Sequence, residues 1–182
     1  APALHPAMKY ALEARKSLAV RTVFNMLGPL CNPANVKRQV MGIFDGNLTE
    51  KIAKALKKLG SEKAYIIHGD DGLDEITTTA NTKITYLNQK GNISSNSFNP
   101  QEYNFNLTSL EKLKGGNPID NSKIIISILK GKKGVHRDIV ILNSAFGIKV
   151  GSKSLSLNEA INIANDSIDS GAALNVLERL KK

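Results

Sequence analysis

Residues 39–75, QVMGIFDGNLTEKIAKALKKLGSEKAYIIHGDDGLDE, decide how the chain is read. Val40-Met41-Gly42-Ile43-Phe44 is a short apolar run ending at Asp45-Gly46, the pattern of a buried strand followed by a turn. From Thr49 to Leu59 the residues are mostly good helix formers, and Gly60 closes the stretch. Ala64-Tyr65-Ile66-Ile67 is a second apolar strand. A strand, a helix of about ten residues and another strand have the spacing of a parallel crossover unit, which sets the class as α/β.

On the C-terminal side, Lys83 to Leu87 and Ile93 to Phe98 flank Asn88-Gln89-Lys90-Gly91-Asn92, a hairpin-like connection, so the expected sheet is mixed and flanked by helices. Beyond Gly115-Gly116 the chain turns helical. Ile124, Ile125, Ile128 and Leu129 form one apolar stripe closed by Gly131, and Ile139, Leu142 and Phe146 form the next. Ser156 and Glu159 have capping-box spacing ahead of Leu157, Ile161, Ala164 and Ile168, and a last helix follows Gly171. On the N-terminal side, one helix is expected from His5 to about Arg15 and a second from Ala19, stopped by Gly28-Pro29.

The 182 residues suffice for one domain, or one with a small appendage, and 41% hydrophobic content supplies a core. No run of 18 apolar residues and no secretory h-region is visible, and the single Cys31 rules out an internal disulfide framework. Cytoplasm is the expected compartment. The start Ala1-Pro2-Ala3, without methionine, suggests a processed terminus or a piece of something longer. The net charge of +9 points to anionic partners, and residues 1–38 hold Lys9, Arg15, Lys16, Arg21, Lys37 and Arg38 against Glu13 alone. With no Trp, 4 Tyr and 5 Phe, platforms for stacking bases are scarce, so small anionic ligands fit better than specific nucleic acid.

Three constellations could carry chemistry. His68-Gly69-Asp70-Asp71-Gly72-Leu73-Asp74-Glu75 crowds carboxylates directly after an apolar strand, where open α/β sheets gather ligands. A Mg²⁺–phosphate site explains the crowding, and an ordinary Asp/Gly turn explains it as well. His5, Lys9, Arg15 and Arg21 could seat a carboxylate, with a solvated helix face as the alternative. Lys130-Gly131-Lys132-Lys133-Gly134-Val135-His136-Arg137 is read as a solvated basic loop. His68 and His136 lack metal-like spacing and are taken as structural or incidental.

Taken together, His5-Pro6-Ala7-Met8-Lys9, the run from Arg21 to Asn35 (RTVFNMLGPLCNPAN) and His68-Gly69-Asp70-Asp71-Gly72-Leu73-Asp74-Glu75 resemble the anthranilate phosphoribosyltransferases of tryptophan biosynthesis. The resemblance continues through Gly115-Gly116, Asp120-Asn121-Ser122, Arg137-Asp138, Leu142-Asn143-Ser144-Ala145 and Ile168-Asp169-Ser170-Gly171-Ala172-Ala173. It covers essentially the whole chain but only the C-terminal half or so of the family, without the glycine-rich phosphate loop and the N-terminal helices.

The resemblance implies transfer of phosphoribosyl from phosphoribosyl pyrophosphate to anthranilate, with release of pyrophosphate and help from Mg²⁺. It matches Asp74 and Glu75 to the metal-holding acidic pair, and His5, Arg15 and Gly28 to positions lining the anthranilate channel. No residue of this stretch is matched to a general acid or base. The implied fold is the large lobe of the nucleoside phosphorylase/phosphoribosyltransferase type for residues 35–182, with residues 1–34 as hinge and small-lobe helices. The complete enzyme is expected to be a homodimer, and this chain without the N-terminal half is expected to be inactive. Competing readings are a pyrimidine nucleoside phosphorylase-like enzyme and a non-catalytic nucleic-acid-binding relative. The Arg21-to-Asn35 stretch speaks against the first, and the retained acidic pair against the second.

Overall fold

The expected crossover forms. The computed structural model describes residues 28–181. In it β1 (Arg38–Gly42) runs parallel to β2 (Lys63–Gly69), with α1 (Thr49–Lys58) between them. α1 buries Thr49, Ile52, Ala53 and Leu56, the one-face spacing of an amphipathic helix. β3 (Thr82–Leu87) pairs antiparallel with β2, and β4 (Ile93–Phe98) pairs antiparallel with β3, giving a four-stranded mixed sheet in the order β1-β2-β3-β4. The β3–β4 turn is held by Asn88, whose side-chain oxygen accepts from the N–H groups of Lys90 and Asn92 at 2.9 and 3.0 Å. Gly91 takes a φ of +77° there, which favours glycine. β4 carries Ser94, Ser95, Asn96 and Ser97, all exposed, a polar surface suited to a sheet edge.

Five further helices follow the hairpin: α2 (Leu110–Leu113), α3 (Pro118–Leu129), α4 (Val135–Gly151), α5 (Leu157–Asp169) and α6 (Ala172–Leu180). β2 is buried along nearly its whole length because helices cover both faces. Tyr65 and Ile67 on one face join Ile84, Leu142, Ala145, Phe146, Leu157 and Ala160 in the core, so α4 and α5 lie there. The alternate residues Ala64 and Ile66 turn to the opposite face, against which α1 packs. Leu142 and Ala145 are completely buried, and Phe146 meets Tyr65 edge-on with ring centroids 5.2 Å apart.

The C-terminal end of α4 is tied to the sheet by basic side chains. Lys63 Nζ donates to the carbonyls of Lys149 (2.7 Å) and Ser152 (3.2 Å), and Arg38 Nη1 donates to that of Gly151 (2.8 Å). Carbonyls left without partners in the last helical turn attract cations, so these bonds serve both sides. Burial, with the nearby Lys149 and Arg38 charges, lowers the Lys63 pKa. At the head of α5, Ser156 and Glu159 form the capping box that their spacing predicts.

Three local expectations need correction. Gly28 and Pro29 are themselves helical and the turn comes at Cys31, the fixed φ of proline being itself a helical value, while the helices expected from His5 and from Ala19 up to residue 27 lie outside the described residues. Ile125 is 53% exposed, because Ile124 and Ile128 already occupy the inward side of α3. Arg137 is 2% exposed and belongs to α4, so the stretch from Lys130 to Arg137 is not wholly a solvated loop. The chain divides into two compact units, Ala1–Lys37 and Arg38–Lys182. Among the described residues no helix is long and apolar enough to cross a membrane.

Candidate functional site

The acidic segment leaves the carboxyl end of β2 as a tight, heavily bonded turn. Gly69 N–H donates to the Leu73 carbonyl at 2.8 Å, and Gly72 N–H to that of Gly69 at 2.9 Å. Asp71 is the hub. One of its oxygens accepts from Leu73 N–H at 3.0 Å, and the other accepts from the hydroxyls of Thr77, at 2.6 Å, and Thr79. Burial alone would raise the Asp71 pKa, but the Thr77, Thr79 and Leu73 donors outweigh it and hold the carboxyl below its ordinary value. Asp71 is thus consumed in shaping the turn.

Asp74 and Glu75 follow immediately and are exposed. Asp74 lies against the end of β1, where a Cβ on Gly42 would overlap the Asp74 carbonyl, so only glycine admits the turn at this separation. Glu75 lines a cleft of about 460 Å³ with Leu73, Leu110, Glu111, Leu113, Lys114 and Ile139. Although the residue is exposed to solvent, its pKa is pushed up, first by desolvation where it borders the cleft and then by the neighbouring Asp74 charge. Immediately after the pair, Ile76 is completely buried and its N–H and carbonyl are both bonded to the Asn143 side chain, at 3.0 and 2.8 Å.

Among the described residues no group of three or more His, Cys, Asp and Glu could hold a metal ion. Asp74 and Glu75 each offer a carboxylate, a source of hard oxygen donors. That set suits Mg²⁺, which usually takes one or two carboxylates and completes its shell with phosphate oxygens and water. It would not make a closed site for zinc, which takes four protein ligands in a structural site or three in a catalytic one.

His68 Nδ1 donates to the Ile43 carbonyl at 2.9 Å, and its ring packs beside Gly46, which fits its structural reading. Gly28 is exposed, and a Cβ there would meet nothing within 4 Å. His5 and Arg15 lie outside the described residues. In the basic stretch, Arg137 makes a two-pronged bond to Asp169, at 2.6 and 2.8 Å, and also donates to Asn165 and to the Gly131 carbonyl. Lys133 shares the same carboxylate at 3.1 Å. Spacing overlooked two residues that shape the acidic turn, Asp71 and Asn143. The Thr77-Thr78-Thr79 run was the local hint to the first, and nothing local marked the second.

Fold and turn together define a class: a mixed α/β sheet that presents the adjacent exposed carboxylates of Asp74 and Glu75 beyond the carboxyl end of an interior strand, beside a cleft. The chain belongs to the glycosyl transferase family, whose a/b domain matches residues 1–174. It is 49% identical over all its 182 residues to an anthranilate phosphoribosyltransferase of Alkaliphilus metalliredigens, of which it covers 53%. It is also 49% identical over 178 residues to that of Acetivibrio thermocellus, covering 51% of it. Among solved structures, the anthranilate phosphoribosyltransferase of Thermus thermophilus superposes with a TM-score of 0.86 at 36% identity, over 96% of this chain and 51% of that one. The Saccharomyces cerevisiae enzyme, in a complex with PRPP and Mg, gives 0.85 at 28% identity, over 96% of this chain and 50% of that one. The chain spans about half the length of the relatives it matches.

Proposed function

We propose that this chain is the C-terminal part of an anthranilate phosphoribosyltransferase, acting in tryptophan biosynthesis. The reaction moves phosphoribosyl from phosphoribosyl pyrophosphate to the amine of anthranilate and releases pyrophosphate. The observation that carries the reading is the exposed Asp74–Glu75 pair, set beyond an interior strand of this sheet on a turn where Asp71 is already spent on hydrogen bonds. In this reading Asp74 and Glu75 hold Mg²⁺, which when bound neutralises charge gathering on the leaving pyrophosphate. The carboxylates contribute position and charge. Desolvation beside the cleft and the Asp74 charge resist ionisation of Glu75, and a cation held by the two carboxylates would favour it, so ionisation of the pair and cation binding would be coupled.

Residues 1–34 are assigned to hinge and small-lobe helices, and His5, Arg15 and Gly28 to the anthranilate channel. Arg15 offers a planar fork for the aromatic acid's carboxylate. A neutral aromatic amine needs positioning more than a strong base, so no general base is assigned within this stretch. The complete protein is taken to be a cytoplasmic homodimer without specific nucleic-acid binding, and this chain to be active only with the remaining half.

The test is a steady-state assay of the full-length protein with anthranilate, phosphoribosyl pyrophosphate and Mg²⁺, repeated for Asp74→Asn. The variant is expected to lose turnover and need more Mg²⁺, because an amide is a poorer ligand for a hard cation, while the KM for anthranilate changes little. An unaltered Mg²⁺ dependence would refute the metal assignment. Turnover of pyrimidine nucleosides with phosphate, in place of anthranilate, would refute the substrate assignment.

A further inference from the structure

Asn143 reaches from α4 to the backbone of the acidic turn without lining the cleft. Its Oδ1 accepts from Ile76 N–H at 3.0 Å, and its Nδ2 donates to the Ile76 carbonyl at 2.8 Å and to the Ile139 carbonyl at 2.9 Å. We infer that Asn143 is a positioning residue for the acidic pair: by pinning both polar groups of Ile76 to α4, it fixes the direction in which Asp74 and Glu75 present their carboxylates. The inference rests on the reading of that pair as a metal site.

Asparagine is a poor helix former, yet here it stands inside a 17-residue helix between Leu142 and Ala145, both completely buried. Its polar atoms are all accounted for. The bond to Ile139, four residues back, locks the side chain to its own helix and makes it a rigid arm. The other two bonds serve a peptide 67 positions away in sequence. Aspartate would accept from Ile76 but, when ionised, could not donate to either carbonyl, and leucine would do neither.

The arm also works as half of a pair. On the N-terminal side of Asp74 and Glu75, Asp71 holds Leu73 N–H; on the C-terminal side, Asn143 holds Ile76. The two ligands therefore sit on a short span anchored at both ends, one anchor belonging to the turn and the other to the core helix. Groups that orient metal ligands from outside commonly change metal affinity by about 10–100-fold when removed, because the ligands must then be ordered at binding. Ile139, whose carbonyl shares the amide, is itself a wall of the cleft beside Glu75.

The test uses the full-length protein and Mn²⁺ as a paramagnetic probe, titrated by electron spin resonance in the presence of pyrophosphate. Asn143→Ala should weaken Mn²⁺ about tenfold or more, raise the KM for phosphoribosyl pyrophosphate with that for anthranilate unchanged, and speed hydrogen exchange at Ile76. Leu142→Ala is the control, since it removes core packing next door and should lower the unfolding midpoint while leaving Mn²⁺ affinity intact. Asn143→Asp should match Asn143→Ala at neutral pH. Relative to Asn143→Ala it should recover on acidification, as its protonated carboxyl can donate to a carbonyl, which also serves if Asn143→Ala does not fold. Unchanged Mn²⁺ affinity in Asn143→Ala, or an equal loss in Leu142→Ala, refutes the positioning role alone. Unchanged affinity in Asp74→Asn and Glu75→Gln refutes the metal reading and takes the positioning role with it.

Discussion

Replacing Arg137 by alanine tests whether a cation's burial or its bare proximity to a carboxylate decides what it is worth. Two cations meet Asp169: Arg137, 2% exposed, and Lys133, 70% exposed. Arg137→Ala removes the fork on Asp169 and leaves Asn165 Oδ1 and the Gly131 carbonyl without the donors now at 2.8 and 3.2 Å. Breaking a buried ion pair typically costs 3–5 kcal/mol. The lower end applies here because Asp169 is 45% exposed and water can replace the guanidinium on it, so about 3 kcal/mol is expected for Arg137. For a chain of this size that is a fall of roughly 6–12 °C in the unfolding midpoint. Lys133→Ala removes only a screened surface pair and should cost under about 0.5 kcal/mol.

The acid limb gives an independent reading. Hydrogen bonds from Arg137 first, and from Lys133 next, hold the Asp169 pKa at about 2. A carboxyl depressed in the folded state adds stability that is complete above its ordinary value of 3.8 and is lost as the pH falls through about 2. Urea unfolding of wild type and Arg137→Ala should therefore differ by a constant amount from neutral pH down to about pH 4, and the difference should shrink only below it. Equal losses for Arg137→Ala and Lys133→Ala, or a difference that closes between pH 6 and pH 4, would overturn this account of the ion pair.

Gly42→Ala should push the Asp74 backbone away from β1 at a cost of about 1–3 kcal/mol, and weaken Mn²⁺ binding by more than that stability loss explains; urea unfolding and a metal titration read the two effects separately. The Glu75 pKa is raised in the folded protein, so the unfolded chain gives up this proton more readily and ionisation of Glu75 works against folding at neutral pH. Glu75→Gln should then be more stable than wild type at pH 7, with the gain vanishing on acidification below the unfolded-state pKa; in Asp74→Asn the Glu75 resonance should titrate at lower pH than in wild type, by carbon-13 NMR. Ser156→Ala removes the capping box of α5 and should cost about 1 kcal/mol, read from thermal unfolding.

Features that depend on neighbours along the chain are legible in its residues. Apolar runs at Val40–Phe44 and Ala64–Ile67 around one helical stretch specify a parallel crossover, because strand and helix periodicities differ and the connection leaves room for only that return. Asn88-Gln89-Lys90-Gly91-Asn92 specifies a hairpin because the Asn88 side chain and Gly91 shape their own turn, and Ser156 with Glu159 specifies a helix start because both bonds close within four residues. The acidic stretch was legible as a concentration of charge, but its spacing left a metal site and a plain turn open, and resemblance to a family, not spacing, singled out Asp74 and Glu75.

Which charged and polar residues are spent on holding the fold, and which are left for a ligand, depends instead on how distant segments pack. Arg137 reads like its solvated lysine neighbours until its partner, 32 residues on, is brought beside it. Asp71 looks like Asp74 until two threonine hydroxyls and an N–H converge on its carboxylate. Asn143 looks like an accident in an apolar stripe until Ile76 arrives from 67 residues away, and Gly42 like one more strand residue until the Asp74 carbonyl is laid against it. The reason is common to all four: hydrogen-bond partners and close approach are set by packing between distant segments, and a chain pattern with a period of two or 3.6 residues carries no record of them.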